Sequence, residues 1–187
     1  RRSPRKGENM EDILVVTGSP RVNGNTSMLA DAFIEGAESA GNAVTRVDVG
    51  RAKIAGCLGC NYCFSHEGEC CQEDDMQELY PLLRRCDTLV YATPIYCFTF
   101  SAQIKAFMDR MFCGIAMPFS VKSTVLLTVF EDKDHSISKH IIDTYRALTA
   151  YSGMEDKGVV AVGSVFEKGA LAGNPGLEEA RRLGAGL

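Results

Sequence analysis

The sequence GSPRVNGNTS, residues 18–27, decides the fold, because it joins a short apolar run to an amphipathic segment. Ahead of it, residues 13–17 (ILVVT) have the length and composition of a strand buried on both faces. Behind it, apolar residues recur at helical spacing as far as Gly41, where a C-terminal cap is expected. A polar loop from strand to helix points backbone N–H groups and the positive end of the helix dipole at one spot. The stretch therefore predicts a phosphate site.

What this loop lacks narrows the ligand. It has no Gly-Lys-Ser/Thr ending, so the lysine and magnesium ligand of a nucleotide-hydrolysing P-loop are missing. It has no GxGxxG pattern, which a dinucleotide pyrophosphate calls for, and no cysteine nucleophile of a low-molecular-weight phosphatase. A monophosphate cradle remains, with an ordinary polar loop and helix cap as the alternative. Its candidate donors are Ser19, Arg21, Asn25, Thr26 and Ser27.

Length, charge and cysteine content set the class of protein. The 187 residues suit one domain, which we expect at 10–187, after a disordered leader or expression remnant at 1–9. A net charge of -4 gives no support to nucleic-acid binding, and no apolar run is long enough to cross a membrane. Eight cysteines without a secretory signal predict a reducing, cytoplasmic setting.

Alternating strands and helices predict an α/β fold. Five apolar runs of strand length alternate with helical segments, which requires a parallel sheet covered on both faces. With the phosphate loop after the first strand, we expect a five-stranded sheet of order 2-1-3-4-5. The predicted strands are residues 13–17, 44–49, 88–93 (stopped by Pro94), 123–130 and 158–165, and the last two helices are 135–151 and 177–183.

In that topology, the loops after strands one, three and four converge on one crevice. The loop after strand three is aromatic, and we expect Tyr96, Phe98 and Phe100 to face the ligand. The loop after strand four begins with Glu131, which is either a solvated turn residue or a neighbour of the ligand's far end. A planar aromatic ligand with a phosphate tail fits this arrangement. The sequence therefore predicts flavin mononucleotide (FMN).

Two paired motifs resemble the flavodoxin-like NAD(P)H-dependent FMN reductases, and most closely their iron-sulfur flavoprotein branch. The motifs are residues 18–21 with 24–26, and residues 93–96 with 101–110, and the resemblance extends over residues 13–183. It implies a flavodoxin-like three-layer sandwich with FMN as cofactor. Many relatives carry a tryptophan where this chain has a cysteine at position 97. The implied FMN-binding residues are Ser19, Arg21, Asn23, Asn25, Thr26 and Ser27 for the phosphate end and Pro94, Ile95, Tyr96, Cys97 and Phe98 for the ring, with Glu131 nearby.

The resemblance implies an oxidoreductase that transfers electrons from NAD(P)H through bound FMN to a small acceptor, such as a flavin or a quinone, or to a redox partner. No catalytic side chain is predicted, because the cofactor carries the chemistry. The alternatives are an iron-sulfur flavoprotein or a flavodoxin-type electron carrier without NAD(P)H turnover. Exposed aromatic groups such as Phe64, Phe98 and Phe100 predict a homo-oligomer, a dimer or a tetramer.

A cysteine-rich run on the connection after strand two predicts a second centre. Its CxxCxxC spacing and a nearby fourth thiol are close to the pattern of a [4Fe-4S] cluster. Idle thiols are the main alternative, and a structural zinc site would more often show two separated CxxC pairs. Cys86 and Cys113 are expected to fill the core. The candidate ligands are Cys57, Cys60, Cys63 and Cys70, with Cys71 in reserve.

Overall fold

The computed structural model describes residues 10–187, so the predicted leader lies outside the described residues. These residues form a three-layer α/β sandwich. In chain order the elements are β1 Asp12–Thr17, α1 Asn25–Ser39, β2 Ala43–Asp48, α2 Tyr62–Ser65, α3 Met76–Leu83, β3 Thr88–Tyr96, β4 Thr99–Phe100, α4 Ala102–Arg110, α5 Cys113–Ala116, β5 Ser123–Val129, a 3₁₀ turn His135–Ser138, α6 Lys139–Tyr151, β6 Glu155–Val162 and α7 Pro175–Ala185.

The sheet has the order β2-β1-β3-β5-β6, and these five strands are parallel. The two-residue β4 pairs only with the end of β3, antiparallel. The predicted order 2-1-3-4-5 is therefore confirmed, with β4 as an addition that the apolar pattern is too short to predict. No helix among residues 10–187 combines the length and the apolar character needed to cross a membrane.

Alternate side chains of the central strands pack into two separate hydrophobic cores, one on each face of the sheet. On β1, Leu14 and Val16 pack with α3, α4 and α6, whereas Ile13 and Val15 pack with α1 and α7. Strand side chains alternate between faces, so a strand that is apolar at every position must be covered on both sides. The continuous apolar run at 13–16 is explained by this double burial.

Two strand boundaries differ from the prediction. Pro94 does not stop β3, which continues to Tyr96. The Ala92 carbonyl accepts a hydrogen bond from Gly18 N, so the backbone groups of Ala92 point toward β1. The backbone nitrogen of Pro94, two residues later, points to the same side, where β1 has already ended. The missing N–H of Pro94 therefore removes no ladder hydrogen bond.

Strand β6 lies three residues earlier than the predicted 158–165. A register shift between Thr124 and Val125 accommodates the polar start of β6. At the other end, Ser164 adopts φ 63°, and its N–H donates to the carbonyl of Asp132 rather than to a ladder partner. The sequence pattern missed both, because bulges and left-handed residues leave the apolar run unchanged.

Helices α1 and α7 pack with their backbones in contact. A Cβ atom built on Gly36 would lie 2.0 Å from the carbonyl oxygen of Arg181. A Cβ atom built on Gly184 would lie 2.1 Å from the carbonyl oxygen of Phe33. Since both obstacles are main-chain atoms, only glycine allows this approach.

Candidate functional site

A cavity of about 310 Å³ lies at the carboxyl edge of the sheet, where the loops after β1, β3 and β5 converge as predicted. The loop after β6 also contributes, through Val165 and Phe166, which the sequence reasoning missed. We name this the loop cavity. It is lined by all but two of the predicted cofactor residues: Ser19, Arg21, Asn25, Thr26, Pro94, Ile95, Tyr96, Cys97, Phe98 and Glu131.

The first turn of α1 is built to receive an anion. Gly24 is the N-cap residue, and no side chain caps the N–H groups of the first turn. These N–H groups have no partner within the helix, and the positive end of the dipole lies at the same place. Thr26, in this turn, is buried in the cavity wall. The residues present therefore fit a phosphate group.

The phosphate loop is fixed against α4 through Gly18. Its N–H donates to the carbonyl of Ala92 at 2.8 Å, and its carbonyl accepts from Ser101 Oγ at 2.8 Å. A Cβ atom here would lie 2.0 Å from Ile104 Cγ1, so a larger residue would displace the helix. The Thr93 and Ser101 side chains are 3.3 Å apart, which ties this contact to the end of β3.

Arg21 joins the first loop to the last. Its Nη1 donates to the carbonyl of Phe166 at 3.0 Å, and its guanidinium lies 5.7 Å from the centre of the Phe166 ring. Arg21 is therefore held at the mouth of the loop cavity rather than free in solvent. The aromatic Phe166, which directly follows the predicted strand 158–165, is a signal from which the sequence could have indicated this loop.

Asn25 organises the last loop with its side chain. Its Nδ2 donates to the carbonyl of Glu167 at 2.9 Å, and its Oδ1 accepts from the N–H groups of Gly169 at 3.0 Å and Leu171 at 3.3 Å. The side chain is thus occupied, which leaves its backbone N–H for a ligand.

The two remaining phosphate candidates do not line the cavity. Ser27 Oγ accepts from Arg46 Nη2 at 3.0 Å, on the β2 side of α1. Asn23 is exposed in the loop, with φ 49°. Both are predicted at the phosphate, Asn23 through the family resemblance alone, and neither the resemblance nor the composition shows which way a loop side chain turns.

A tight turn presents the aromatic residues after β3. Tyr96 pairs with Thr99, and the two residues between them, Cys97 and Phe98, have φ 48° and 65°. Two successive left-handed residues are the geometry of a type I′ hairpin turn, which usually requires Asn or Gly. Tyr96 and Phe98 are exposed at the cavity, but Phe100 is buried, so its predicted place beside the ligand is wrong. Its ring packs on Tyr91 because β4 turns it toward the core.

Replacing Cys97 with asparagine is expected to raise the free energy of unfolding by about 0.5 to 1 kcal/mol, since asparagine tolerates the left-handed region and cysteine does not. Urea denaturation followed by circular dichroism measures this change. Thr99→Asn is the control, because Thr99 is in a strand and asparagine there should destabilise. A Cys97→Asn variant less stable than the unmodified protein would contradict the inference that the left-handed backbone of Cys97 costs stability.

The cysteine-rich connection forms a second, smaller pocket of about 20 Å³. We name this the thiol pocket. Cys60 Sγ lies 3.7 Å from Cys71 Sγ. The backbone N–H of Tyr62 and the Cys71 thiol together lower the pKa of Cys60, which favours the thiolate, the form that binds metals. The cysteines lining it are Cys57, Cys60, Cys63, Cys70, Cys71 and Cys113.

The thiol pocket is also lined by Arg110 and Cys113, which lie far from the cysteine-rich connection in the sequence. Cys86 and Cys113 are both buried, as predicted, but Cys113 also lines the thiol pocket. Within residues 10–187, no three Cys, His, Asp or Glu side chains are arranged to hold a metal ion. The thiols share one pocket but would have to rearrange to bind one centre.

Arg110 closes the stem of the cysteine-rich connection. Its buried guanidinium donates to Asp74 Oδ2 at 2.6 Å and to the carbonyls of Ala55 at 3.1 Å and Gln72 at 3.4 Å. Burial opposes its charge, but the hydrogen bond with Asp74 outweighs this and raises the pKa of Arg110. The stem is completed by the Lys53 N–H, which donates to Asp75 Oδ2 at 2.7 Å.

Together, the parallel sheet and a crevice with an uncapped helix at one end and exposed aromatic residues at the other define a flavodoxin-like, FMN-binding class of protein. A family model, NADPH-dependent FMN reductase, matches residues 12–166. The chain belongs to this family. The prediction that the chain belongs to this family is confirmed.

Relatives of known family agree with this assignment. An iron-sulfur flavoprotein of Archaeoglobus fulgidus is 42% identical over 96 residues, which are 51% of this chain and 43% of the relative. The match thus spans less than half of that relative's length. An iron-sulfur flavoprotein of Methanosarcina thermophila is 28% identical over 169 residues, 89% of this chain and 85% of the relative. The predicted branch is therefore supported.

The solved NAD(P)H:quinone oxidoreductase from Methanothermobacter marburgensis has a TM-score of 0.74. It is 18% identical, and the alignment covers 95% of this chain and 96% of the other. An identity this low supports the fold alone, and the predicted flavodoxin-like architecture is confirmed.

Proposed function

We propose that this protein is an FMN-dependent oxidoreductase that takes electrons from NAD(P)H and passes them to a small acceptor, such as a flavin or a quinone, or to a redox partner. The loop cavity carries this proposal. The uncapped N–H groups in the first turn of α1 lie at one end of the cavity, where they can bind an anion. The exposed rings of Tyr96 and Phe98 lie at the other end. When bound, FMN supplies hydride acceptance and one- or two-electron release.

In this proposal the residues of the loop cavity bind and orient FMN, and they supply no catalytic group of their own. The first turn of α1 and Arg21 would hold the phosphate, while Tyr96, Cys97 and Phe98 would form the wall against the ring. Glu131 lines the cavity on the β5 side, where we propose that it lies at the far end of the ring. The exposed Tyr96 and Phe98 border the open side, where a nicotinamide donor enters and leaves before the acceptor, which gives ping-pong kinetics.

Steady-state oxidation of NADH and NADPH with added FMN and a quinone tests the function. Turnover that depends on FMN supports the reductase. A protein that binds FMN but does not oxidise either nucleotide is instead the flavodoxin-type electron carrier, and the proposal fails. The same assay shows which nucleotide is preferred and whether a quinone is a competent acceptor.

Alanine at both Arg21 and Thr26 is expected to weaken FMN binding by about 100-fold or more, since charge-assisted hydrogen bonds contribute roughly 1.5–3 kcal/mol each and two are removed. Riboflavin lacks the phosphate, so its affinity should change little. Fluorescence titration of the flavin measures both constants. Arg51→Ala, an exposed arginine outside the loop cavity, is the matched control. Equal losses for FMN and riboflavin would refute the phosphate site.

We also propose that the thiol pocket holds a [4Fe-4S] cluster. The observation that favours it is the meeting of the CxxCxxC thiols with Cys70 and Cys71 at one pocket, with a thiolate-favouring Cys60. Four thiolates are the donor set of such a cluster, so the residues present fit it in chemistry. Cys57, Cys60 and Cys63 would supply three, and Cys70 or Cys71 the fourth.

The exposed aromatic surface supports a proposed assembly, and the thiols support a proposed location. Phe64 and Phe98 are exposed, whereas Phe100 is not, so we propose a homo-oligomer, a dimer or tetramer, that covers the first two. Light scattering of the FMN-bound protein tests this. Cysteines that must stay reduced to serve as ligands are consistent with a cytoplasmic setting.

A further inference from the structure

One N–H group of the Arg110 guanidinium has no hydrogen-bond acceptor among residues 10–187. Its side chain is fully buried, and both Nη atoms are engaged by Asp74 and by main-chain carbonyls. The Nε atom is buried and has no hydrogen-bond partner among residues 10–187. Most buried polar groups in proteins are paired, so an unpaired donor on a charged group needs a reason.

The position of Arg110 supplies that reason. It forms part of the wall of the thiol pocket, beside Cys70, Cys71 and Cys113. Its own carbonyl accepts from Cys113 Sγ at 3.5 Å and from the Tyr80 hydroxyl at 3.3 Å. Arg110 lines a pocket that it shares with six cysteines, so a sulfur there is an available acceptor for its unpaired donor, and a buried positive charge suits an anionic acceptor.

We propose that Arg110 is a positioning residue for the thiolate-bound centre: its Nε–H donates to a sulfur at the thiol pocket, and its charge raises the reduction potential there. This inference rests on the cluster proposed above. A [4Fe-4S] group held by four thiolates is anionic, and each added electron makes it more so. A fixed cation and an N–H donor therefore favour the reduced state.

The geometry explains why this residue is arginine. Asp74 and the carbonyls of Ala55 and Gln72 hold the two Nη atoms, which fixes the plane of the guanidinium. The direction of Nε is fixed with it. A lysine would keep the charge but could not hold these partners and still donate to a sulfur. Charge and donor are thus separable by substitution.

The test uses anaerobic protein with FMN, reconstituted with iron and sulfide, and an EPR-monitored redox titration. Arg110→Gln removes the charge and should shift the midpoint potential of the cluster downward. Asp74→Asn keeps Arg110 but removes its counter-ion and should shift the potential upward. Arg110→Lys should lie between Arg110→Gln and the unmodified protein. Arg181→Gln is the control, because it removes one positive charge from α7, on the other face of the sheet.

The opposite shifts of the midpoint potential expected for Arg110→Gln and Asp74→Asn distinguish an effect on the reduction potential from a merely structural role. If Arg110 only braces the stem, both Arg110→Gln and Asp74→Asn lower the melting temperature and leave the potential at that of Arg181→Gln, which overturns the inference. If Arg110→Gln does not fold, Arg110→Lys and Asp74→Asn decide by the same criterion. Unmodified protein that takes up no iron overturns the cluster proposal, and this inference with it.

Discussion

Valine in place of Gly184 is expected to remove a large part of the protein's stability and to shift its unfolding transition to much lower urea concentration. The Cβ atom would lie 2.1 Å from the carbonyl oxygen of Phe33, and neither backbone can move aside while α1 and α7 stay packed. Separating the helices uncovers the core that Phe33 and Ala180 share. Substitutions of this kind cost about 4 kcal/mol or more, against a total stability of roughly 5–15 kcal/mol. Urea denaturation followed by circular dichroism measures the loss.

The matched control is Gly186→Val, two residues further on. The nearest atoms to a Cβ there are 3.5 Å away, and its φ of -88° suits any residue. Both valines bring the same branched side chain to the end of α7, so the difference between them isolates the close approach. If the two variants unfolded at the same urea concentration, the tight packing of α1 on α7 would be wrong.

Serine in place of Cys60 is expected to abolish iron binding. After anaerobic reconstitution, the unmodified protein should hold about four irons per chain. Cys60 is the middle residue of the CxxCxxC run, and a serine hydroxyl is not a thiolate. FMN content should not change, because no residue of the thiol pocket lines the loop cavity. A colorimetric iron assay and the flavin absorbance give both numbers.

Cys86→Ser is the control for this change, since Cys86 is outside the thiol pocket and should keep the iron. Reconstituted unmodified protein with only a flavin spectrum would decide for idle thiols. Stoichiometric zinc by elemental analysis would decide for a structural metal clip. Either result would remove the cluster without touching the flavin site.

The parts of the fold that the sequence predicted are those set by local pattern. The run at 13–17 must be buried on both faces, and the polar loop after it must be followed by a helix. From these, the parallel sheet, its order and the meeting of three loops follow by topology. The residues named for the loop cavity line it largely because they directly follow strands.

What the sequence did not predict depends on contacts between distant residues. Asn25 looked like a phosphate donor, but its side chain bonds to a loop more than 140 positions away. Phe100 belonged to an aromatic cluster, and a two-residue hairpin turned it inward. Arg110 stood in a recognised motif, yet its place in the wall of the thiol pocket needed the fold of the whole connection. Periodicity contains none of this information.

The stem around Asp74 and Asp75 closes the cysteine-rich connection at its base, and Arg110 of α4 ties that base to the rest of the fold. Because Ala55 and Lys53 are bonded to these carboxylates, the two ends of the loop are joined whatever lies between them. Closing a longer loop is not expensive: each doubling of length adds only about 0.6 kcal/mol of entropy. The number and spacing of cysteines can therefore change over evolutionary time while the flavin scaffold, whose strands never enter this segment, is inherited intact.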